Sequence, residues 1–179
     1  MADIALIRIT EYEGGSVNTI ADAFSSRAKE NGHSVIEVET QFSKSCHCGG
    51  HCCQRGGEGC GDDDCVCTFA RSVPGCDVVV LAFAVDMGFT PTALNRILHK
   101  VTFNCERAEP GSEKRILVLA TSDSFNELVF NDALSVIRME CNLKNWTYAG
   151  ELLIPGLPDA CLGADPVSCR QSARLADRV

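Results

Sequence analysis

Asp77-Val-Val-Val-Leu-Ala-Phe-Ala-Val85 contains the longest apolar run in the chain, and its reading decides the architecture. The run is strand-sized, rich in valine and uninterrupted by polar residues, as in a strand buried on both faces. Such strands belong to parallel sheets whose crossovers are helices, so the flanks should alternate strand and helix. Upstream, Ile4-Ala-Leu-Ile-Arg-Ile9 is a first buried strand. After the turn-rich stretch 11–15, Ser16 or Asn18 is placed to cap a helix with Ile20, Ala23, Phe24 and Ala28 at helical spacing, and Asn31-Gly32 stops it. Ser34-Val-Ile-Glu-Val-Glu39 is a second strand. Downstream, Pro91 behind Thr90 opens a helix with Leu94, Ile97, Leu98 and Val101 on one face. Arg115-Ile-Leu-Val-Leu-Ala120 is a fourth strand. Ser124-x-x-Glu127 reads as a capping box before a helix carrying Leu128, Val129, Leu134, Ile137 and Cys141. Trp146 to Ile154 is a fifth strand, closed by Pro155-Gly156.

This alternation implies right-handed crossovers and one parallel sheet covered on both sides. The expected fold is α/β, a flavodoxin-like three-layer sandwich with strand order 2-1-3-4-5. One domain spans residues 1–156, with a Cys-rich insertion at 43–67 after the second strand. Residues 157–179 form a tail, with a last short helix from Ser168. Ligands of such sheets bind at the carboxyl ends of the strands, beside the switch point. That edge carries the loops after Ile9, Glu39, Val85 and Thr121.

The insertion holds Cys46, Cys48, Cys52, Cys53, Cys60, Cys65 and Cys67 among Gly and Asp, with no hydrophobic period. Bunched thiolates favour zinc, copper(I) or iron–sulfur clusters over magnesium or calcium. No C-x-x-C occurs there, so neither a zinc ribbon nor a thioredoxin-type pair is indicated. The C-x-C and C-C spacings leave zinc, or a several-metal thiolate cluster, beside an iron–sulfur cluster; the blander alternative is disulfide-linked or buried cysteine. His47 and His51 are further candidate ligands. Cys76, Cys105 and Cys141 suit small-hydrophobe packing.

A net charge of −8 offers no basic stripe for phosphates, so nucleic acid is not an expected partner. No apolar run approaches the roughly 18 residues a membrane helix needs. Met1-Ala-Asp-Ile lacks the basic start of an export signal, which points to the cytoplasm, where thiols stay reduced and bind metal. No Ser–His–Asp set or H-E-x-x-H motif supports a hydrolase.

Four pieces, in order, carry a family likeness: Gly15-Ser-Val-Asn-Thr19; the cysteines after the second strand; Ala84-Val-Asp-Met-Gly-Phe-Thr-Pro-Thr-Ala-Leu94; and Tyr148-Ala-Gly-Glu-Leu-Leu-Ile-Pro-Gly156. Over most of residues 3–156 the chain resembles the NAD(P)H-dependent FMN reductases and iron–sulfur flavoproteins. The resemblance implies a redox protein passing electrons between FMN and an iron–sulfur cluster, of the 4Fe–4S type. It further implies NAD(P)H or a redox protein as partner, and a homodimer. Ser16, Asn18 and Thr19 match the phosphate loop, and Val85, Asp86, Met87 and Gly88 match the loop beside the isoalloxazine ring. By position, Cys46, Cys48, Cys52 (or Cys53) and Cys65 match the cluster ligands.

The chain also departs from the family. Glu11 and Glu13 stand where a Ser and an Arg are usual, Ala84 and Asp86 replace a Pro and an aromatic, and Thr121-Ser-Asp-Ser-Phe125 replaces a glycine-rich turn. These departures favour a second expectation, a non-enzymatic soft-metal binding or interaction protein on a flavodoxin scaffold whose flavin site has decayed. A third is a simple flavin or quinone reductase with incidental thiols. Asp86 reads either as an acid/base group facing the pocket or as a turn residue.

Overall fold

The structure, a computed structural model, describes residues 1–10, 12–39, 73–95, 97–98, 113–160 and 163–179. Glu11, the Cys-rich insertion with all seven of its cysteines, His47, His51, Cys105 and Cys161 lie outside the described residues.

Five strands form one parallel sheet: β1 (Asp3–Ile9), β2 (Ser34–Glu39), β3 (Val78–Val85), β4 (Arg115–Ser122) and β5 (Thr147–Ile154), in the expected order β2-β1-β3-β4-β5. Among the described residues the helices are α1 (Ser16–Glu30), α2 (described at 92–95 and 97–98), α3 (Asn131–Lys144) and α4 (Pro166–Ala176). Strand side chains alternate between faces, and each face is sealed by its own helices. On one side Ile7, Ile9, Leu81, Phe83, Val118 and Ala120 pack with Leu94 and Ile97 of α2 and Leu134, Ile137 and Cys141 of α3. On the other, Ile4, Leu6, Val80, Ala82, Leu117 and Leu119 pack with Ile20, Phe24 and Ala28 of α1 and Leu175 and Ala176 of α4. The burial of Val78–Val85 on both faces thus follows from the layers around it, while Asp77 stands exposed just before the strand. No helix among the described residues is long and apolar enough to cross a membrane.

The tail belongs to this second layer. Asp165 caps α4, accepting from the amides of Val167 (2.8 Å) and Ser168 (3.1 Å), and Pro166 follows it, so the helix begins before Ser168. Ser172 then donates to the Ile20 carbonyl at 2.7 Å, and Asp177 takes Arg27 (2.7 Å) and Asn31 (3.1 Å) at the far end of α1.

Two capping expectations are corrected. The N-cap of α1 is Gly15, which has no side chain to give, rather than Ser16 or Asn18. Ahead of α3, Asn126 caps a short 3₁₀ turn (Glu127–Phe130) by accepting from the Leu128 amide at 3.0 Å, in place of a Ser124–Glu127 box. Ser124 is instead one rung of a ladder: Ser122 accepts from the amide of Ser124, and Ser124 from that of Asn126, each at 3.1 Å. Side-chain oxygens that satisfy an amide two residues on compete with helix, so α3 starts only at Asn131.

One buried charge braces the sheet. Arg8 of β1 is 5 % exposed and pairs with Asp22 of α1 at 2.6 Å and with Glu37 of β2. Glu37 also accepts from Lys29 and Ser25, each at 2.6 Å. Partial burial works against the Glu37 carboxylate, but those two hydrogen bonds and the Arg8 charge prevail and hold it below its ordinary range.

Candidate functional site

A cleft of about 530 Å³ opens at the carboxyl edge of the sheet, between the ends of β1 and β3 where the strand order reverses. β1 contributes Ile9 and the following Thr10 and Tyr12, and the β3 end contributes Ala84, Val85, Asp86, Met87 and Phe89. The start of α2, Asp123 after β4, and residues 158–160 after β5 complete the wall. This is the place where topology directs a ligand.

The β3 loop turns tightly. The amide of Phe89 donates to the Asp86 carbonyl at 2.8 Å, with Met87 (φ 48°) and Gly88 (φ 79°) both left-handed between them. Two positive φ values in succession characterise a type I′ turn, which Gly88 accommodates freely and Met87 only at some strain. The turn lifts Met87 and Phe89 into solvent, 78 % and 76 % exposed. Two bare apolar side chains at a cleft mouth form a rim that a flat aromatic ligand would cover. Among the expected ring-side residues, Val85, Asp86 and Met87 line the cleft and Gly88 does not.

The expected phosphate-side residues are committed elsewhere. Ser16 is fully buried, with its hydroxyl 3.5 Å from that of Thr121. Asn18 donates to the Tyr12 carbonyl at 3.0 Å, and the Thr19 hydroxyl donates back to the Gly15 carbonyl at 3.1 Å. None of the three lines the cleft. What meets the start of α1 is Asp159. Asp159 is 7 % exposed; one carboxylate oxygen accepts from the Val17 amide at 2.9 Å and the other from the Thr10 hydroxyl. Gly15 makes this approach possible, since a Cβ there would stand 2.4 Å from the Asp159 carbonyl and 2.5 Å from its carboxylate.

Asp159 was missed because it follows the fifth strand, in what reads as a tail. The signal was nonetheless available, since a loop after any strand of a parallel sheet leaves by the same edge. Its neighbours are pinned there: Leu157 donates to the Ser122 carbonyl at 2.7 Å, Gly156 to that of Ser124 at 2.9 Å, and Gly163 to that of Gly14 at 3.1 Å.

Asp86, Asp123 and Asp159 make the cleft acidic, and no Lys, Arg or His stands among its described lining residues. Nor is this a cation site of the usual kind, because among the described residues no three His, Cys, Asp or Glu gather closely enough to hold a metal. Cys76 and Cys141 are buried free thiols, as expected of core packing; burial pushes both up, Cys141 to about 11. They are poor thiolates in consequence.

No family model matches the chain, and no curated protein matches it in sequence. Solved structures do match in shape. An FMN-dependent NADH-azoreductase from Bacillus anthracis, solved in complex with FMN, superposes with a TM-score of 0.67 at 12% identity, covering 99% of each chain. The NAD(P)H:quinone oxidoreductase of Methanothermobacter marburgensis gives 0.62 at 12% identity, covering 99% of this chain and 94% of its own. A flavodoxin from Megasphaera elsdenii gives 0.59 at 12% identity over 98% and 99%. At such identities the likeness establishes the flavodoxin-like fold, in agreement with the family resemblance carried by the motifs.

The FMN that this fold family implies fits only in part. A ring has the volume and the apolar rim it requires. The anion locus at the start of α1, which would take the phosphate, is filled by Asp159 and its backbone.

Proposed function

We propose that the chain is a flavin-dependent redox protein holding an isoalloxazine ring in the switch-point cleft, with NAD(P)H or a redox protein as electron partner. The observation that carries this reading is the cleft itself, placed between β1 and β3 and rimmed by Met87 and Phe89. A flavin supplies two-electron acceptance and one-electron release. The cysteines between Cys46 and Cys67 follow β2, whose carboxyl end points to the same edge, and thiolates there would bind a soft metal centre close to the ring. An iron–sulfur cluster suits single-electron relay, and a homodimer suits a site whose outer rim is apolar.

A second reading is favoured by the acidity of the cleft: a soft-metal binding protein on the same scaffold that takes no flavin. Absorbance and metal analysis of anaerobically purified protein separate the two. Broad iron–sulfur absorption, together with spectral change on adding a flavin, supports the redox protein. Zinc without iron, and no response to any flavin, selects the second reading.

A further inference from the structure

We propose that Asp159 is a built-in substitute for a flavin phosphate, so that the cleft takes an unphosphorylated flavin of the riboflavin class in preference to FMN. This inference rests on the flavin reading above. The orphan amides at a helix start and the positive end of its dipole attract one anion. At α1 that anion is already present: the Asp159 carboxylate holds the Val17 amide and the Thr10 hydroxyl, and it is almost out of water. A near-dianionic phosphate would have to displace a carboxylate whose backbone is pinned on both sides, or else settle beside it at a repulsive distance. Asp123 and Asp86, on the walls of the same cleft, add to that repulsion, and no cationic side chain among the described lining residues offsets it. Ser16 and Thr19, whose hydroxyls would otherwise offer donors, are turned inward to Thr121 and Gly15. A flavin ending in ribityl hydroxyls meets none of this opposition, since a hydroxyl can donate to the Asp159 carboxylate.

The test is flavin fluorescence quenching by the full chain as purified, in phosphate-free buffer, titrated with riboflavin and with FMN. The wild-type chain is expected to bind riboflavin at least about tenfold more tightly. Asp159→Ser, which frees the Val17 amide and removes the carboxylate charge, should reverse that order. Asp159→Asn keeps the shape and removes the charge, and should fall between. FMN binding as tightly as riboflavin to the wild-type chain, or a preference unchanged in both variants, overturns the role of Asp159 and leaves the flavin reading standing. Failure of both flavins to bind the wild-type chain and both variants overturns the flavin reading, and this inference with it.

Discussion

The starts of α1 and α4 solve the same problem in opposite ways. Each exposes orphan amides, and each receives an aspartate. At α4 the aspartate is the cap residue itself, Asp165, exposed to water and reaching the two amides that follow it in the chain. At α1 the cap residue is Gly15, and the carboxylate arrives from Asp159, 142 residues from the Val17 amide it accepts. A cap from the neighbouring residue forms with the helix and serves only the helix. A remote cap depends on the whole sheet being closed, and it stands at a cleft where a ligand's anion would otherwise go. The second arrangement can therefore carry selectivity as well as stability.

The comparison breaks most sharply at Gly15. Gly15→Ala places a methyl inside the space of Asp159 and should destabilise the chain by about 3 kcal/mol, the cost of overpacking against backbone; urea unfolding measures it. Asp159→Ala leaves the Val17 amide without its acceptor and the Thr10 hydroxyl with only the Tyr12 carbonyl at 3.4 Å, and should cost about 2 kcal/mol. In the double variant the two losses should fall well short of their sum, because the same contact is lost twice. Additive losses would mean that Gly15 matters for some other reason.

Asp165→Ala should lower the midpoint by less than Asp159→Ala does, since the Asp165 carboxylate stands in water. Its loss should add to that of Asp159→Ala, as expected for caps of separate helices. The smallest effect is a pH limb. The Ser168 hydroxyl, followed by the amides of Ser168 and Val167, holds the Asp165 carboxyl below its ordinary value of 3.8. A depressed carboxyl contributes stability above its unfolded value and loses it as pH falls through the folded one. The wild-type advantage over Asp165→Ala should accordingly be constant above about pH 5 and fade in acid. Thermal melts across that range check it, and an advantage independent of pH would break the account of the local cap.

The strands were legible because burial on both faces leaves a mark on every residue of a segment: Val78–Val85 and Arg115–Ala120 can be read with no knowledge of what covers them. Alternation with helices and the handedness of crossovers gave the parallel sheet, and its order came from matching five such strands to the flavodoxin-like pattern. The cap of α4 was also within reach, because Asp165-Pro166 is a start signal written in adjacent residues. The caps of α1 and α3 were misread for a common reason. A serine near a helix start looks like a cap whether its hydroxyl turns to an amide of that helix, to Thr121 as Ser16 does, or back along a turn as Ser124 does. In the cleft, Val85, Asp86 and Met87 stand on the wall as their position after β3 suggests, and Phe89 follows them in the same loop, whereas Asp123 and Asp159 come from two further loops that only the closed sheet brings together.

The amino-acid order by itself determined the layers, the parallel sheet and the edge at which a ligand would enter, because hydrophobic periodicity is a local property that any short window reveals. Only the tertiary structure decided which anion sits on α1. That contact joins the first loop to the last, and its strength comes from exclusion of water and from a glycine that admits the approach, neither of which exists until the chain has closed.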